Sequence, residues 1–163
     1  MTTPARRALV ITVSDRATTG ERPDLHGPLL AELLRGLGLQ VDPVVVVPDE
    51  VAAVQGALRE AVAAAYALVL TTGGTGLAPR DVTPEATRPL LEREAPGLAE
   101  ALRHLPGAPA TAILSRGVAG TIGGTLVVNL PGSRGGVQDG VAVLAPVLEH
   151  ALAQLAGGGE HPA

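Results

Sequence analysis

The chain has 163 residues, 46% of them hydrophobic, and a formal net charge of -4; it has no cysteine, tryptophan or phenylalanine and only one tyrosine. That length suits one domain with an aliphatic core, and the missing aromatic platforms and acidic balance argue against a nucleic-acid partner. All 12 basic residues are arginine, which excludes Schiff-base chemistry and a Walker-type phosphate lysine, while the lack of cysteine removes disulfides and thiolate chemistry.

Ala8 to Val13 is a short, nearly all-apolar run of the kind that forms a strand covered on both faces. Ser14 to Gly27 is polar and rich in glycine, proline and aspartate, and reads as a loop. From Pro28 a stripe of Leu29, Leu30, Leu33, Leu34 and Leu37 predicts a helix, with Gly38 as its stop. Val41 to Val47 reads as one β-branched strand, with Pro43 placing its beginning at an edge. Val51, Val54, Leu58, Ala61 and Val62 mark the next helix, and Ala67 to Thr71 the next strand. A helix is expected from Pro84 through Glu94, interrupted by Pro96-Gly97, and a short one over Leu98 to Leu105. Ile113 to Arg116 leads into an irregular hairpin over Gly117 to Gly124, followed by a core strand from Thr125 to Leu130. The last helix carries Val137, Val141, Leu144, Leu148, Leu152 and Leu155, and Pro146 inside it predicts a kink.

Alternating strands and helices predict an α/β fold: a three-layer α/β/α sandwich around a mostly parallel central sheet. One domain is expected over 1–163, with a core of about 8–155 and a disordered tail at 157–163. No signal-peptide pattern opens the chain, and the longest apolar run, Ala61 to Leu70, is too short for a bilayer, so a cytoplasmic protein without a membrane partner is expected. His26, His104, His150 and His161 show no metal-ligand spacing.

In open α/β sheets, ligands bind beyond the carboxyl ends of the strands. The polar segments there are Ser14-Asp15-Arg16, Pro48-Asp49-Glu50, Thr72 to Asp81, and Asn129 with Pro131-Gly132-Ser133. If the sheet is parallel, all four converge on one rim. The densest signal is Thr72-Gly73-Gly74-Thr75-Gly76, then Arg80-Asp81, then a helix start at Thr83-Pro84-Glu85, with Thr83 as hydroxyl cap. A strand, a glycine turn and a helix N-terminus together present N–H groups to an anion. Two carboxylates, Asp49 and Asp81, suit a divalent cation whose shell is completed by substrate phosphates. Plainer readings stand beside these. Asp49 could cap the following helix, the glycines could serve the turn alone, Asp15-Arg16 could be a solvated pair, and Ser115-Arg116 an ordinary element end. Arg80 could bind a phosphate or pair with Asp81.

The segment TTGGTGLAPRDVTPEAT (Thr71 to Thr87) resembles the signature of the MogA/MoaB family of molybdenum-cofactor biosynthesis proteins, which includes the N-terminal domain of gephyrin. ITVSDRATTGE (Ile11 to Glu21), VVPDE (Val46 to Glu50), EREAPG (Glu92 to Gly97), ILSR (Ile113 to Arg116) and LVVNLPGS (Leu126 to Ser133) are similar to further family blocks in the same order. The resemblance implies a molybdopterin-binding fold, a homotrimer, and molybdopterin adenylyltransferase activity with ATP, Mg²⁺ and molybdopterin. It also implies a transient partner, the enzyme that later inserts molybdate. On that resemblance Asp49 and Asp81 are the catalytic acids, which would also hold the metal, Thr72 to Gly76 meet the nucleotide or pterin phosphates, and Ser115 meets the pterin, while Arg80 keeps its two readings. Ser14, Asp15, Asn129, Pro131, Gly132 and Ser133 line the rest. The alternative is a MoaB-like binder without efficient transfer. The chain departs from the family pattern at Asp24-Leu25-His26-Gly27, where many members carry D-x-S-G, and at Gly123-Gly124-Thr125, where some carry Arg-Gly-Lys.

Overall fold

The computed structural model describes residues 5–158. Seven strands and six α-helices follow one another as β1 (Arg7–Val13), α1 (Asp15–Thr18), α2 (His26–Gly36), β2 (Gln40–Val41), β3 (Val45–Val47), α3 (Val51–Ala63), β4 (Leu68–Thr72), α4 (Thr83–Thr87), β5 (Arg93–Glu94), α5 (Pro96–Arg103), β6 (Ala119–Ile122), β7 (Thr125–Leu130) and α6 (Arg134–Leu155). The sheet order is β2-β1-β4-β7-β6-β5, with β3 also paired to β1. β1, β2, β3, β4 and β7 are mutually parallel where they pair, and β5, β6 and β7 form an antiparallel meander at one edge. The carboxyl ends of β1, β3, β4 and β7 therefore share one rim.

Side-chain alternation along the strands splits the core into two layers. Ala8 and Val10 of β1, Leu68 and Leu70 of β4, and Val128 and Leu130 of β7 pack with Leu30 and Leu34 of α2 and Val137, Leu144 and Leu148 of α6. Leu9, Ile11 and Val13, Val69 and Val127 face the other way, onto Val54, Leu58 and Ala61 of α3 and Ala86 of α4. The three-layer α/β/α sandwich follows from that alternation.

Local details differ from the sequence reading. The loop expected over Ser14 to Gly27 contains α1, and α2 begins at His26, ahead of Pro28. The run Val41 to Val47 is two short strands, because Asp42 and Pro43 leave the ladder between them. Asp42 accepts hydrogen bonds from Tyr66 Oη (2.6 Å) and Arg7 Nη2 (2.7 Å), and the Arg7 guanidinium lies 4.2 Å from the centre of the Tyr66 ring. The helix expected from Pro84 to Glu94 ends at Thr87, passes through a 3₁₀ turn over Arg88–Leu90, and becomes β5, whose Arg93 and Glu94 pair with β6. Helix α6 runs unbroken through Pro146. The tail expected at 157–163 falls, from residue 159 on, outside the described residues.

Candidate active site at the carboxyl rim of the sheet

The glycine turn begins where β4 stops. Gly73 and Gly74 have φ of +102° and +67°, conformations that a side chain strains. Thr83 is not the expected cap. Its buried hydroxyl donates to Gly73 O (2.9 Å), and its N–H donates to Gly74 O (3.0 Å). Those carbonyls have left the β-ladder, and Thr83 supplies their partners. Gly132, opening the β7–α6 turn, packs so closely that a Cβ there would sit 3.0 Å from Gly73 Cα.

Both acids reach this turn. A Cβ at Gly74 would lie 3.1 Å from Asp49 Oδ1, and one at Gly76 would lie 2.8 Å from Asp81 Oδ2. Asp49 does not cap α3, whose N-cap is Glu50 and has no side-chain cap bond. Instead Asp49 and Asp15 form a reciprocal pair: Asp15 N–H donates to Asp49 Oδ2 (2.9 Å), and Asp49 N–H donates to Asp15 Oδ1 (3.0 Å). Arg80 then closes on Asp15 with both arms, Nε to Oδ2 at 2.8 Å and Nη2 to Oδ1 at 2.9 Å. Arg80 thus pairs with Asp15 and not with its neighbour Asp81, and Asp15 is not a free solvated pair with Arg16. The Arg80 guanidinium holds the Asp15 carboxyl below its ordinary value. Burial pushes the Asp49 carboxyl above its ordinary value, and the charges of Asp15 and Asp81 push it further.

Two cavities open on the rim, with the glycine turn as the wall between them. The first, about 700 Å³, is lined by Ser14, Asp49, Thr72, Gly73, Gly74, Asp81, Gly132 and Ser133. The second, about 210 Å³, is lined by Thr75, Gly76, Ser115, Pro131 and Ser133. Ser133 borders both and caps α6, its Oγ accepting from Gly136 N–H at 3.0 Å. The N-terminus of a 22-residue helix therefore faces the rim. Asp15 and Arg80 stand outside both linings.

Asn129, expected in the pocket, is instead buried at 1% exposure. Its amide donates to Thr71 Oγ1 (3.0 Å) and Thr87 Oγ1 (3.1 Å), and its Oδ1 accepts from Val118 N–H (3.2 Å). It ties β4, α4 and β7 together beneath the site. Among the lining residues of the first cavity that the sequence reading left out of the site, three are titratable: Arg22, Asp24 and His26. Asp24 is engaged by Thr12 Oγ1 (2.8 Å) and Gly27 N–H (3.0 Å). The departure at Asp24-Leu25-His26-Gly27 was the one signal that marked this segment.

The donor set fits a hard divalent cation carried by a phosphate ligand. Asp49 Oδ2 and Asp81 Oδ2 accept backbone N–H bonds, the latter from Ala78 at 3.1 Å. Among the described residues the other oxygen of each carboxylate has no hydrogen-bond partner, and no group of three or more metal-binding side chains converges. Two acids without a full cage is the arrangement expected when substrate phosphates complete the shell.

An open, mostly parallel sheet with a ligand-sized cleft beyond its strand ends defines a small-ligand-binding α/β domain. Residues 9–150 match the family model described as "Probable molybdopterin binding domain". A "Molybdenum cofactor biosynthesis bifunctional protein" of Synechococcus elongatus is 43% identical over 92% of this chain and 47% of its own length. "Molybdenum cofactor biosynthesis protein B" of Staphylococcus carnosus is 39% identical over 90% of this chain and 88% of its own. Among solved structures, "Molybdopterin biosynthesis enzyme MoaB" of Thermus thermophilus is 48% identical, with a TM-score of 0.87 over 93% of this chain and 97% of that one. The chain belongs to this molybdopterin-binding domain family, in its MogA/MoaB group. It spans about half the length of the bifunctional relatives it matches. Among the described residues no helix is long and apolar enough to cross a membrane.

Proposed function

We propose that the chain acts in molybdenum cofactor biosynthesis as a molybdopterin adenylyltransferase. The terminal phosphate oxygen of molybdopterin attacks the α-phosphorus of ATP. The bond from that phosphorus to the bridging oxygen breaks, and pyrophosphate leaves with the electron pair. The observation that carries this reading is the pair Asp49 and Asp81 lining one cleft, against opposite ends of the Gly74–Gly76 turn.

Transfer of this kind asks the protein for positioning and charge neutralisation more than for covalent chemistry. A chain without lysine or cysteine meets that demand. Asp49 and Asp81 would hold Mg²⁺ with the nucleotide, and Mg²⁺ when bound neutralises charge on the transferring phosphorus and the leaving group. The half-buried Gly74 and Gly76 and the N-terminus of α6 offer N–H groups to phosphate oxygens. The second cavity, bordered by Ser115, takes the pterin end. The Arg80–Asp15–Asp49 chain of bonds fixes the Asp49 carboxylate before the ligand arrives.

Mixing the protein with ATP, Mg²⁺ and molybdopterin should release pyrophosphate, and chelation of Mg²⁺ should stop it. Release no faster than in a protein-free control, with molybdopterin still retained by the protein, would leave a binding protein in place of an enzyme.

A further inference from the structure

We infer that Arg116 is the positioning residue for Asp81. The inference rests on the transferase reading for its kinetic consequence but not for its geometry. Arg116 follows the 3₁₀ turn over Ala110–Leu114, remote in sequence from the acid it serves. Its Nε donates to Gly76 O (2.8 Å) and its Nη2 to Asp81 O (2.8 Å), so one guanidinium grips both ends of the loop from Gly76 to Asp81. Its remaining arm, Nη1, pairs with Glu85 in the first turn of α4, and its backbone N–H donates to Thr75 O (2.8 Å).

The loop it grips is otherwise held mainly by its own bonds, Asp81 N–H to Ala78 O (2.9 Å) and Ala78 N–H to Asp81 Oδ2 (3.1 Å). Those set a tight turn, and the exposed fork of Arg80 on Asp15 ties that turn to the loop after β1 through a side chain alone. Arg116 anchors the loop's backbone, and Arg103 of α5 in turn holds the segment carrying Arg116, its Nη1 donating to Ser115 O (3.2 Å) and Gly117 O (3.0 Å). Two arginines thus connect α5 to the cleft acid. The grip needs a planar fork with donors at fixed angles; a lysine ammonium is a single point on a flexible stem.

The test is Arg116→Lys in the full chain, read by turnover, by KM for ATP, and by amide hydrogen exchange. Turnover should fall about 100-fold, the scale of a displacement near 1 Å. KM should stay close to that of the unaltered protein, and exchange should quicken at residues 76–81 while the β1 and β4 amides remain protected. Glu85→Gln removes the ion pair but leaves the carbonyl grip, so its turnover should stay near the unaltered level. Normal turnover in Arg116→Lys, or an equal loss in Glu85→Gln, would overturn the inference. If the unaltered protein shows no pyrophosphate release, the transferase reading falls by itself. Exchange at 76–81 then decides the positioning claim, and unchanged protection there in Arg116→Lys overturns it.

Discussion

Asp49 shares its corner with two other carboxylates, and its titration should show it. Burial and the charges of Asp15 and Asp81 raise its pKa, so the ionised form that would hold a cation is lost at a higher pH than for a free aspartate. The acid limb of kcat/KM, which reports the protein before nucleotide and cation bind, should therefore lie above the usual aspartate range, and a pH–rate profile measures it. The stability sign is opposite for Asp15 and Glu85. Their folded pKa values are lowered, by Arg80 and Arg116 respectively, so their contributions are present above the unfolded values and lost as pH falls through the folded ones. For Asp49, folding disfavours the charge at neutral pH. Asp49→Asn should thus keep or raise the melting temperature at pH 7 while lowering transfer by orders of magnitude. A lower melting temperature with normal turnover would instead mark Asp49 as structural. The placement of both acids on the rim was legible in the sequence, Asp49 from the end of β3 and Asp81 from its position between the glycine turn and the helix start at Thr83-Pro84. The Asp15–Asp49 reciprocity and the grip of Arg116 were not. Those bonds join side chains to backbone groups 34, 35 and 40 residues away, and no local pattern encodes such meetings.

At the scale of elements, α4 is held by what it does for the glycine turn. It is five residues long, too short to be stable by propensity alone. Thr83 Oγ1 satisfies Gly73 O, and Thr87 Oγ1 donates to Thr83 O (2.8 Å) and accepts from Asn129. Thr83→Val keeps the shape and leaves a buried carbonyl without a partner, at a cost of about 1–3 kcal/mol. In a chain of this size that lowers the melting temperature by several degrees, at about 2–4 °C per kcal/mol; calorimetry checks it. The long strands and amphipathic helices were readable because apolar periodicity tracks burial directly. The short elements were not. β5 has two residues, both exposed, and exists because β6 offers an edge to pair with. The helix expected across Leu90 and Leu91 gave way to that pairing, a case of tertiary contacts overriding a local pattern. Asn129 was misplaced for a related reason. Sequence position put it beside the rim, but the inward face of β7 turned it into the core.

For the molecule as a whole, we propose a homotrimer, the assembly that the family resemblance implies. Leu77 and Ile113 are exposed at 67% and 61%, and large apolar side chains left in solvent are compatible with a covered surface. Sedimentation equilibrium should return three times the mass of the chain, and a monomer at micromolar concentration would remove the proposal. One further consequence lies in the clamp that Tyr66 makes with Arg7 and Asp42. It sits at the entrance of β4, at the far end of that strand from the glycine turn, and the chain has no tryptophan. The native protein is thus nearly dark to ultraviolet emission at the cleft. Leu25 borders the first cavity and is 67% exposed. A single indole introduced there by Leu25→Trp would shine alone, and any change in its colour on adding nucleotide would report the cleft and nothing else.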